Sequence, residues 1–194
     1  MIMIIRIFQK VQQYYWNARS SKLIDNQEYN TIQYNKIPYV IKHPTAKISI
    51  GNGTTINSNN KGYHLNMFSK CKLYADTPYS IIEIGENCRI HGTCIHAQKS
   101  IKIGNNVLIA ANTQIIDSNG HELNMDKPQK RLIERDEPKE IIIEDNVWIG
   151  TGCIILKGSH IKEGAVISAG SVVKGIIPAH CIFGGNPAKL IKQY

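Results

Sequence analysis

The sequence predicts an all-β protein folded as a triangular solenoid, and three observations support this fold class. An aliphatic residue recurs every six positions in the second half of the chain, at Ile143, Ile149, Ile155, Ile161, Ile167 and Val173. A period of six matches neither the 3.6-residue period of a helix nor the turn spacing of hairpins, but it suits a coil with a short strand on each of three sides. Aromatic residues make up only 7% of the chain, and 15 glycines outnumber 7 prolines, which fits a narrow core with tight corners.

Residues 1–22 precede the first repeat and are predicted to form a short amphipathic helix. Its apolar stripe contains Ile4, Ile5, Phe8, Val11 and Tyr15. Such a helix would cap the open end of the solenoid, as stacked repeats require, or would contact a membrane surface. No apolar run approaches the ~20 residues that span a bilayer, and the features of a signal peptide are missing. We therefore expect a cytoplasmic protein, with peripheral contact at the inner face of the membrane as an alternative role for this segment.

Residues 23–178 are predicted to form the β-helix itself. Shorter runs of the same period lie upstream, at Ile50 and Ile56, at Ile84 and Ile90 with His96 in the third position, and at Ile103, Ile109 and Ile115. Because three hexapeptides make one coil, residues 143–160 and 161–178 form two coils, and the upstream part has room for about three more. Residues 179–194 are expected to form a terminal cap with a short helix.

The period breaks between Ile115 and Ile143, which are 28 positions apart instead of six. The extra residues lie within residues 118–140, a charged segment that a solenoid accommodates only as a loop projecting from one corner. The turn into this loop carries Asp117 and His121. Histidine has an unperturbed pKa near neutrality and can take a proton from an alcohol, although a histidine in a polar loop can equally be only solvated.

The formal net charge of +8 raises the question of an anionic partner. The basic residues are dispersed, without a run of five or more and without interleaved aromatic residues, which argues against nucleic acid. The five cysteines contain no CxxC pair, so we expect small buried hydrophobic residues in place of a disulfide framework or a zinc site. No metal is expected.

The repeat units resemble the hexapeptide repeat of left-handed parallel β-helix acyltransferases. Residues 103–112, then Asp117 and His121, then residues 146–150 are similar to the maltose, galactoside, nodulation and capsule O-acetyltransferase branch. The resemblance implies a left-handed helix, since spacing alone does not determine the hand. It also implies acetyl-CoA as co-substrate, a homotrimer with the site between subunits, and His121 as general base for direct attack of an acceptor hydroxyl on the thioester.

The resemblance assigns further residues to the acetyl-CoA side. Trp148 matches a tryptophan that packs near the pantetheine arm, and it must point outward because the prism is narrow. Thr151 matches a small hydroxyl beside the thioester, and Ala169 matches a backbone amide that meets the pantetheine chain; both are otherwise plain corner residues. Lys174 and Lys189, the latter in a tail that resembles the family's Gly-x-Pro-Ala-Lys signature, would contact the CoA phosphates or would be ordinary surface lysines.

The acceptor side is predicted less fully. Asp117 would orient the catalytic ring or contact the acceptor together with Asn119. Residues 90–98 depart from the asparagine and aspartate pattern of the small-sugar members, so galactoside and maltose are not predicted as acceptors. His91 and His96 would line the acceptor groove, or one would be exposed and the other packed. Their odd spacing places them on opposite faces of a strand, which does not suit a metal pair.

These features predict an acetyl-CoA-dependent O-acetyltransferase that acts on a saccharide acceptor, with a role in surface polysaccharide synthesis. Two enzyme alternatives are N-acetylation of a nucleotide-linked amino sugar and O-acetylation of serine. Residues 1–45 show neither the glycine-rich βαβ pattern that often accompanies the first nor the large helical domain that accompanies the second. A purely structural solenoid is a third alternative, which would leave the loop and the C-terminal tail unexplained. The acceptor sugar and its hydroxyl are not identified by the sequence.

Overall fold

The computed structural model describes Val11, Ile24, Asp25 and residues 32–194. These residues form twenty β-strands that pass through three sheets in a repeating order. The fold is the left-handed parallel β-helix that the sequence predicts. The amphipathic helix predicted for residues 1–22 lies outside the described residues, apart from Val11.

The strands are numbered in chain order, and each sheet takes one strand from every coil. Sheet A contains β1 (Gln33–Tyr34), β4 (Thr55–Asn57), β7 (Arg89–His91), β10 (Leu108–Ile109), β13 (Trp148–Ile149), β16 (Val166–Ile167), β19 (Cys181–Gly185) and β20 (Ala188–Gln193). Sheet B contains β2 (Tyr39–Lys42), β5 (Lys72–Ala75), β8 (Cys94–Ala97), β11 (Gln114–Ile116), β14 (Ile154–Ile155) and β17 (Val172–Val173). Sheet C contains β3 (Lys47–Ile50), β6 (Ile81–Ile84), β9 (Ser100–Ile103), β12 (Ile141–Ile143), β15 (His160–Ile161) and β18 (Ile176–Ile177). We name the corners by the sheets that they join: A–B, B–C and C–A.

The core is a stack of aliphatic side chains that point into the prism, one or two from most of the strands. On sheet C, consecutive strands pair in register through a buried column of Ile84, Ile103, Ile143, Ile161 and Ile177. Burying one such side chain contributes roughly 1.5–3 kcal/mol, so the stacked isoleucines supply the main stabilisation of the solenoid. Four of the five cysteines are buried as predicted, and Cys94 is partly exposed.

One predicted core position is wrong. The inward side chain that follows Ile84 and Ile90 is Ile95, which is fully buried, whereas His96 lies on the outer face of sheet B. The A–B corner of this coil is one residue shorter than the next one, and Gly92 adopts φ +47° there. Glycine tolerates this backbone conformation, so the chain turns early and the register of the next strand shifts by one residue.

The C-terminal tail forms a β-hairpin and not the predicted short helix. β19 continues sheet A in the parallel direction, and β20 returns antiparallel to it after a turn at Asn186 and Pro187. The edge of a sheet presents a row of unpaired N–H and C=O groups. β20 pairs with those groups on β19, which a helix could not do.

Two loops project from the prism. The His121 loop (residues 118–140) projects from a corner, as predicted; this is the B–C corner between β11 and β12, and the loop contains a short 3₁₀ helix at Pro128–Leu132. The Tyr63 loop (residues 58–71) leaves the A–B corner between β4 and β5 and was not predicted. Six complete coils lie between residues 33 and 177, one more than the sequence suggests. Among the described residues, no helical segment has the length and apolarity that a transmembrane span requires.

Candidate functional site

The His121 loop is held at its base by Asp117, the residue that precedes it. The Asp117 side chain is fully buried, and its oxygens accept hydrogen bonds from the backbone N–H groups of Gln98, Lys99 and Ser100 at 2.8, 2.7 and 2.9 Å. Burial raises the pKa of the Asp117 carboxyl, although the three N–H donors favour its charged form. Because the carboxylate is enclosed and directed into the preceding coil, Asp117 positions the loop. In this chain the Asp117 side chain is not exposed to an acceptor, which differs from the contact that the sequence predicts as one of its two roles.

A second anchor joins the other end of the loop to the next coil. Lys157 Nζ lies 2.5 Å from both carboxylate oxygens of Asp136, and the Asn119 N–H donates to the same carboxylate at 2.9 Å. Burial acts to raise the pKa of Asp136, but the hydrogen bond from Asn119 and the charge of Lys157 outweigh it and hold this pKa below its usual value. Both ends of the loop are therefore attached to the B–C corner, with Asn119 exposed beside them.

His121 lies exposed on this anchored loop. Its imidazole makes no hydrogen bond or ion pair with any residue that the structure describes. The loop also exposes four large apolar side chains, those of Leu123, Met125, Leu132 and Ile133. Exposed apolar clusters of this kind mark interaction surfaces. The loop thus presents an unpartnered imidazole and an apolar surface outward from the B–C corner.

Trp148 lies on the outer face of sheet A, as predicted, with 52% of its surface exposed. In the register of the sheet it stands between Leu108 and Val166. Beside it is a cavity of about 360 Å³ that is lined also by Val166, Ile182 and Tyr194. A mainly apolar, aromatic-walled slot of this kind suits the arm of an extended small-molecule ligand.

Thr151 and Ala169 stack in successive coils at the A–B corner. The Thr151 hydroxyl donates to the Ala111 carbonyl at 2.7 Å, and the Gly170 N–H donates to the Thr151 carbonyl at 2.8 Å. Ala169 is exposed, and its N–H donates to no group in the described part of the chain. The corner therefore offers a free backbone donor at Ala169, whereas the Thr151 hydroxyl is already used as a donor and retains only its accepting capacity.

His91 lies at the same corner, but it is packed and not open to solvent. Only 5% of its surface is exposed, the Asn57 side-chain amide donates to Nδ1 at 3.2 Å, and the Tyr63 ring stacks on the imidazole with centroids 4.3 Å apart. Burial first, and then the positive charge of Arg89, lower the pKa of His91 to about 4. His91 therefore supports the corner from behind Tyr63 as a neutral imidazole.

His96 lies apart from His91, on the outer face of sheet B. Its Nε2 is 2.9 Å from an Asp76 carboxylate oxygen, and the Tyr74 ring stacks on the imidazole. The two histidines thus lie on different strands, His91 on β7 of sheet A and His96 on β8 of sheet B, and not on opposite faces of one strand as their spacing predicts. Within the described residues, no cluster of three or more His, Cys, Asp and Glu side chains is arranged to hold a metal.

The two lysines predicted to meet the CoA phosphates also lie apart. Lys174 follows β17 at the B–C corner, whereas Lys189 is on β20 opposite Gly184. Both are exposed. One chain alone does not bring them to a single phosphate group.

The predicted site residues form two groups on opposite sides of the prism. The B–C corner carries Asp117, Asn119, His121 and Lys174. Sheet A and its A–B corner carry His91, Trp148, Thr151, Ala169 and Lys189. In a triangular coil, the B–C corner is the one that does not border sheet A. Within the described chain, the loop histidine and the tryptophan slot therefore lie at different places on the prism.

The Tyr63 loop is the part of this region that sequence reasoning missed. It covers the A–B corner, with Met67 buried against Gly92, where a Cβ would lie only 2.7 Å from the Met67 side chain. The signal that could have identified it is the distance between the inward residues Ile56 and Leu73, which are 17 positions apart.

Two family models match the repeats. Residues 140–175 match the bacterial transferase hexapeptide (six repeats), and residues 81–116 match the hexapeptide repeat of succinyl-transferase. The chain is 45% identical over 93 residues to a candidate acetyltransferase of Schizosaccharomyces pombe, which covers 48% of this chain and 43% of that protein. It is 37% identical over 101 residues to a candidate lipopolysaccharide biosynthesis O-acetyl transferase of Escherichia coli K12, which covers 50% of this chain and 52% of that protein. The matches thus span about half the length of these curated relatives.

A solved structure shares the fold over most of the chain. It is a mutant N-acyltransferase from Bacillus cereus in complex with dTDP-4-amino-4,6-dideoxyglucose and coenzyme A. The TM-score is 0.58 at 21% sequence identity, and the match covers 84% of this chain and 83% of that one.

Proposed function

Because the chain belongs to the hexapeptide-repeat acetyltransferase family, we propose that it is an acetyl-CoA-dependent O-acetyltransferase that modifies a sugar hydroxyl in surface polysaccharide synthesis. The observation that carries this proposal is the exposed, unpartnered imidazole of His121 on a loop that is anchored at both ends. The similarity to an O-acetyl transferase of lipopolysaccharide biosynthesis supports a saccharide acceptor.

His121 acts as general base in this proposal. The neutral imidazole accepts the proton of the acceptor hydroxyl while the hydroxyl oxygen forms a bond to the thioester carbonyl carbon. The carbon–sulfur bond then breaks, the CoA thiolate leaves, and the imidazolium returns the proton to that sulfur. Holding both reactants next to one imidazole supplies much of the rate enhancement, because it converts an encounter in solution into a reaction of positioned groups.

Acetyl-CoA, the acyl donor, binds along sheet A and its A–B corner in this proposal. Trp148 and the adjoining slot pack against the pantetheine arm, and the free N–H of Ala169 donates to one of its amide oxygens. The Thr151 hydroxyl, whose proton is used by Ala111, accepts a hydrogen bond from the arm. Lys174 and Lys189 contact the CoA phosphates, one from each of two subunits.

The site is completed by a second subunit in this proposal, and the assembly is a homotrimer. The B–C corner with His121 and the sheet A face with Trp148 belong to opposite sides of one prism, so they meet only across a subunit boundary. The exposed apolar side chains of the His121 loop supply the contact area for such a boundary. Closed cyclic symmetry repeats the same boundary without leaving a free end.

The decisive test replaces His121 with alanine and follows thiol release from acetyl-CoA with a panel of saccharides and matched amino sugars. We expect His121→Ala to lower kcat by roughly 10²–10⁴-fold and to leave acetyl-CoA binding unchanged, because the imidazole acts only on the acceptor proton. Lys127→Ala, at another exposed position of the same loop, serves as the control and keeps the wild-type rate. An undiminished rate in His121→Ala would exclude the general-base role, and preference for an amine over every hydroxyl would exclude O-transfer.

A further inference from the structure

The Tyr63 loop has a fixed shape, because asparagine side chains close it from within and from below. The Asn60 side chain accepts the Met67 N–H at 2.6 Å and donates to the Met67 carbonyl at 3.1 Å. Asn112, from the corner beneath, accepts the Phe68 N–H at 2.8 Å and donates to the Asn66 carbonyl at 2.9 Å. Two pairs of hydrogen bonds thus hold the loop in one conformation against the A–B corner, as a binding element requires.

Ala111 joins this loop to the corner where the donor is proposed to bind. Burial raises the pKa of Tyr63, and the Ala111 backbone N–H acts on the Tyr63 hydroxyl in the opposite direction. The Ala111 carbonyl accepts the Thr151 hydroxyl at 2.7 Å and the Gly152 N–H at 2.8 Å. Ala111 therefore lies between the Tyr63 loop and Thr151, the residue that is proposed to lie beside the thioester.

The loop presents aromatic rings at this position. Tyr63 is stacked on His91 with an interplanar angle of 13°, and His64 packs against Tyr63 with centroids 4.7 Å apart. Phe68 has 89% of its surface exposed, although its backbone is held by Asn112. A large apolar ring that is kept in solvent by a rigid backbone marks a ligand surface, and the apolar C–H face of a sugar ring can pack on it.

The charge around these rings is positive. The Tyr63 loop contains Lys61 and Lys70 and no aspartate or glutamate. Arg89 is exposed on the outer face of sheet A, and its charge acts on both Tyr63 and His91. Neither Lys61 nor Arg89 forms an ion pair with a described residue. An unpaired guanidinium beside an aromatic surface favours a carboxylate or a phosphate group on the ligand.

From these observations we propose that the Tyr63 loop binds the acceptor and that the acceptor is an anionic saccharide. Phe68 and His64 pack against its ring, while Arg89 and Lys61 bind its carboxylate or phosphate. Tyr63 and His91 act as positioning residues that hold this surface beside the A–B corner. The inference rests on the proposed function, since it names the substrate class of the same site.

Binding of matched sugars to the CoA-loaded protein tests this proposal by calorimetry. The probes are methyl glycosides, the corresponding methyl glycuronides and the hexose 1-phosphates of the gluco, galacto and manno series. We expect at least one anionic probe to bind about tenfold more tightly than its neutral counterpart. Comparing the glycuronides with the hexose 1-phosphates then shows whether the site prefers a carboxylate or a phosphate group. Arg89→Gln should abolish that difference, and Phe68→Ala should weaken binding of the preferred probe about tenfold.

Two matched controls accompany these variants. Tyr79→Ala removes another exposed aromatic ring, near the B–C corner, and Lys47→Gln removes a cation on sheet C; both should bind the probes as the wild type does. Equal affinity for neutral and anionic probes, no binding of any probe, or variants that match their controls would each overturn the proposal. Acetyl-CoA binding is measured in the same samples. A wild-type protein that does not bind acetyl-CoA would refute the proposed function and not this inference alone.

Discussion

The Gln98 N–H donates a hydrogen bond to Asp117 Oδ1 at 2.8 Å and so joins the His121 loop to the preceding coil. Two more backbone N–H groups, those of Lys99 and Ser100, share the other oxygen of the same carboxylate. One buried side chain thus holds the turn below the loop and the start of the loop itself. A change at Asp117 should therefore affect both the stability of the solenoid and the position of His121.

Asp117→Asn tests this double role. The amide keeps one acceptor oxygen but turns an NH₂ group toward backbone donors, so at least one buried N–H loses its partner. We expect the free energy of unfolding to fall by about 1–3 kcal/mol in urea titrations. kcat should fall while the acetyl-CoA KM stays constant, because Trp148, Thr151 and Ala169, which are proposed to hold the pantetheine arm, lie on sheet A and at its A–B corner. Asp126→Asn, at an exposed carboxylate of the same loop, is the control, and an equally small effect of both changes would contradict the anchoring role.

Mixing two impaired variants tests whether the site is shared between subunits. His121→Ala removes the proposed base, and Trp148→Ala weakens the donor slot, so each protein alone should be slow at low acetyl-CoA. After random mixing of subunits, about a quarter of the sites would combine an intact His121 from one subunit with an intact Trp148 from another, and about that share of wild-type activity should return. The control is a mixture of His121→Ala with a protein that carries both substitutions, because no site in this mixture contains an intact His121. Activity that stays at the level of this control would mean that one chain holds the whole site.

The packed imidazole of His91 predicts a specific loss of stability in acid. Its pKa of about 4 in the folded protein lies below the ordinary value of 6.5, so the unfolded chain binds the proton more tightly. The contribution of this residue is therefore complete above about pH 6.5 and is lost as the pH falls toward 4. His91→Gln keeps an amide near Asn57 but cannot titrate. Between pH 7 and pH 4 the wild type should lose about 2 kcal/mol more than the variant, a value that allows for partial solvent screening. If chemical unfolding shows that the stabilities of the wild type and His91→Gln depend on pH in the same way, this prediction is wrong.

Close stacking of the coils predicts that Gly150 does not tolerate a side chain. A Cβ at this position would lie 2.6 Å from the Ala169 backbone nitrogen, which cannot move without disturbing the coil above. Gly150→Ala should cost about 1–3 kcal/mol and should also weaken acetyl-CoA binding, since Ala169 carries the proposed N–H donor. Ser168→Ala, at the equivalent position of the next coil, already has a Cβ and should change stability by less than about 0.5 kcal/mol. Thermal unfolding and calorimetric titration of both variants provide the comparison.

The regular part of the fold could be predicted because a buried column demands one aliphatic residue per strand. The run from Ile143 to Val173 shows this demand directly, and the structure places those side chains in the core. The register of His96 could not be predicted, because the short corner depends on the left-handed conformation of Gly92, and many other glycines in the chain do not shorten their corners.

The candidate site was predictable as a set of residues but not as an arrangement. Periodicity locates His121 on a projecting loop and Trp148 on an outer face, yet it does not say which corner each one occupies relative to the other. The anchoring by Asp117 and the closure of the Tyr63 loop by Asn112 both join residues of different coils. Such contacts depend on how the coils stack in three dimensions, so the periodicity of the sequence does not predict them.

The reversed direction of β20 has a consequence for how copies of this chain can pair edge to edge. A parallel ladder that stopped at β19 would offer its free edge to the first strand of another chain, and repeated addition would give a filament. β20 runs antiparallel to β19 and exposes the charged residues Lys189 and Lys192. The last strand of sheet A therefore does not continue its parallel ladder, and lysine side chains on an edge strand disfavour pairing with another chain.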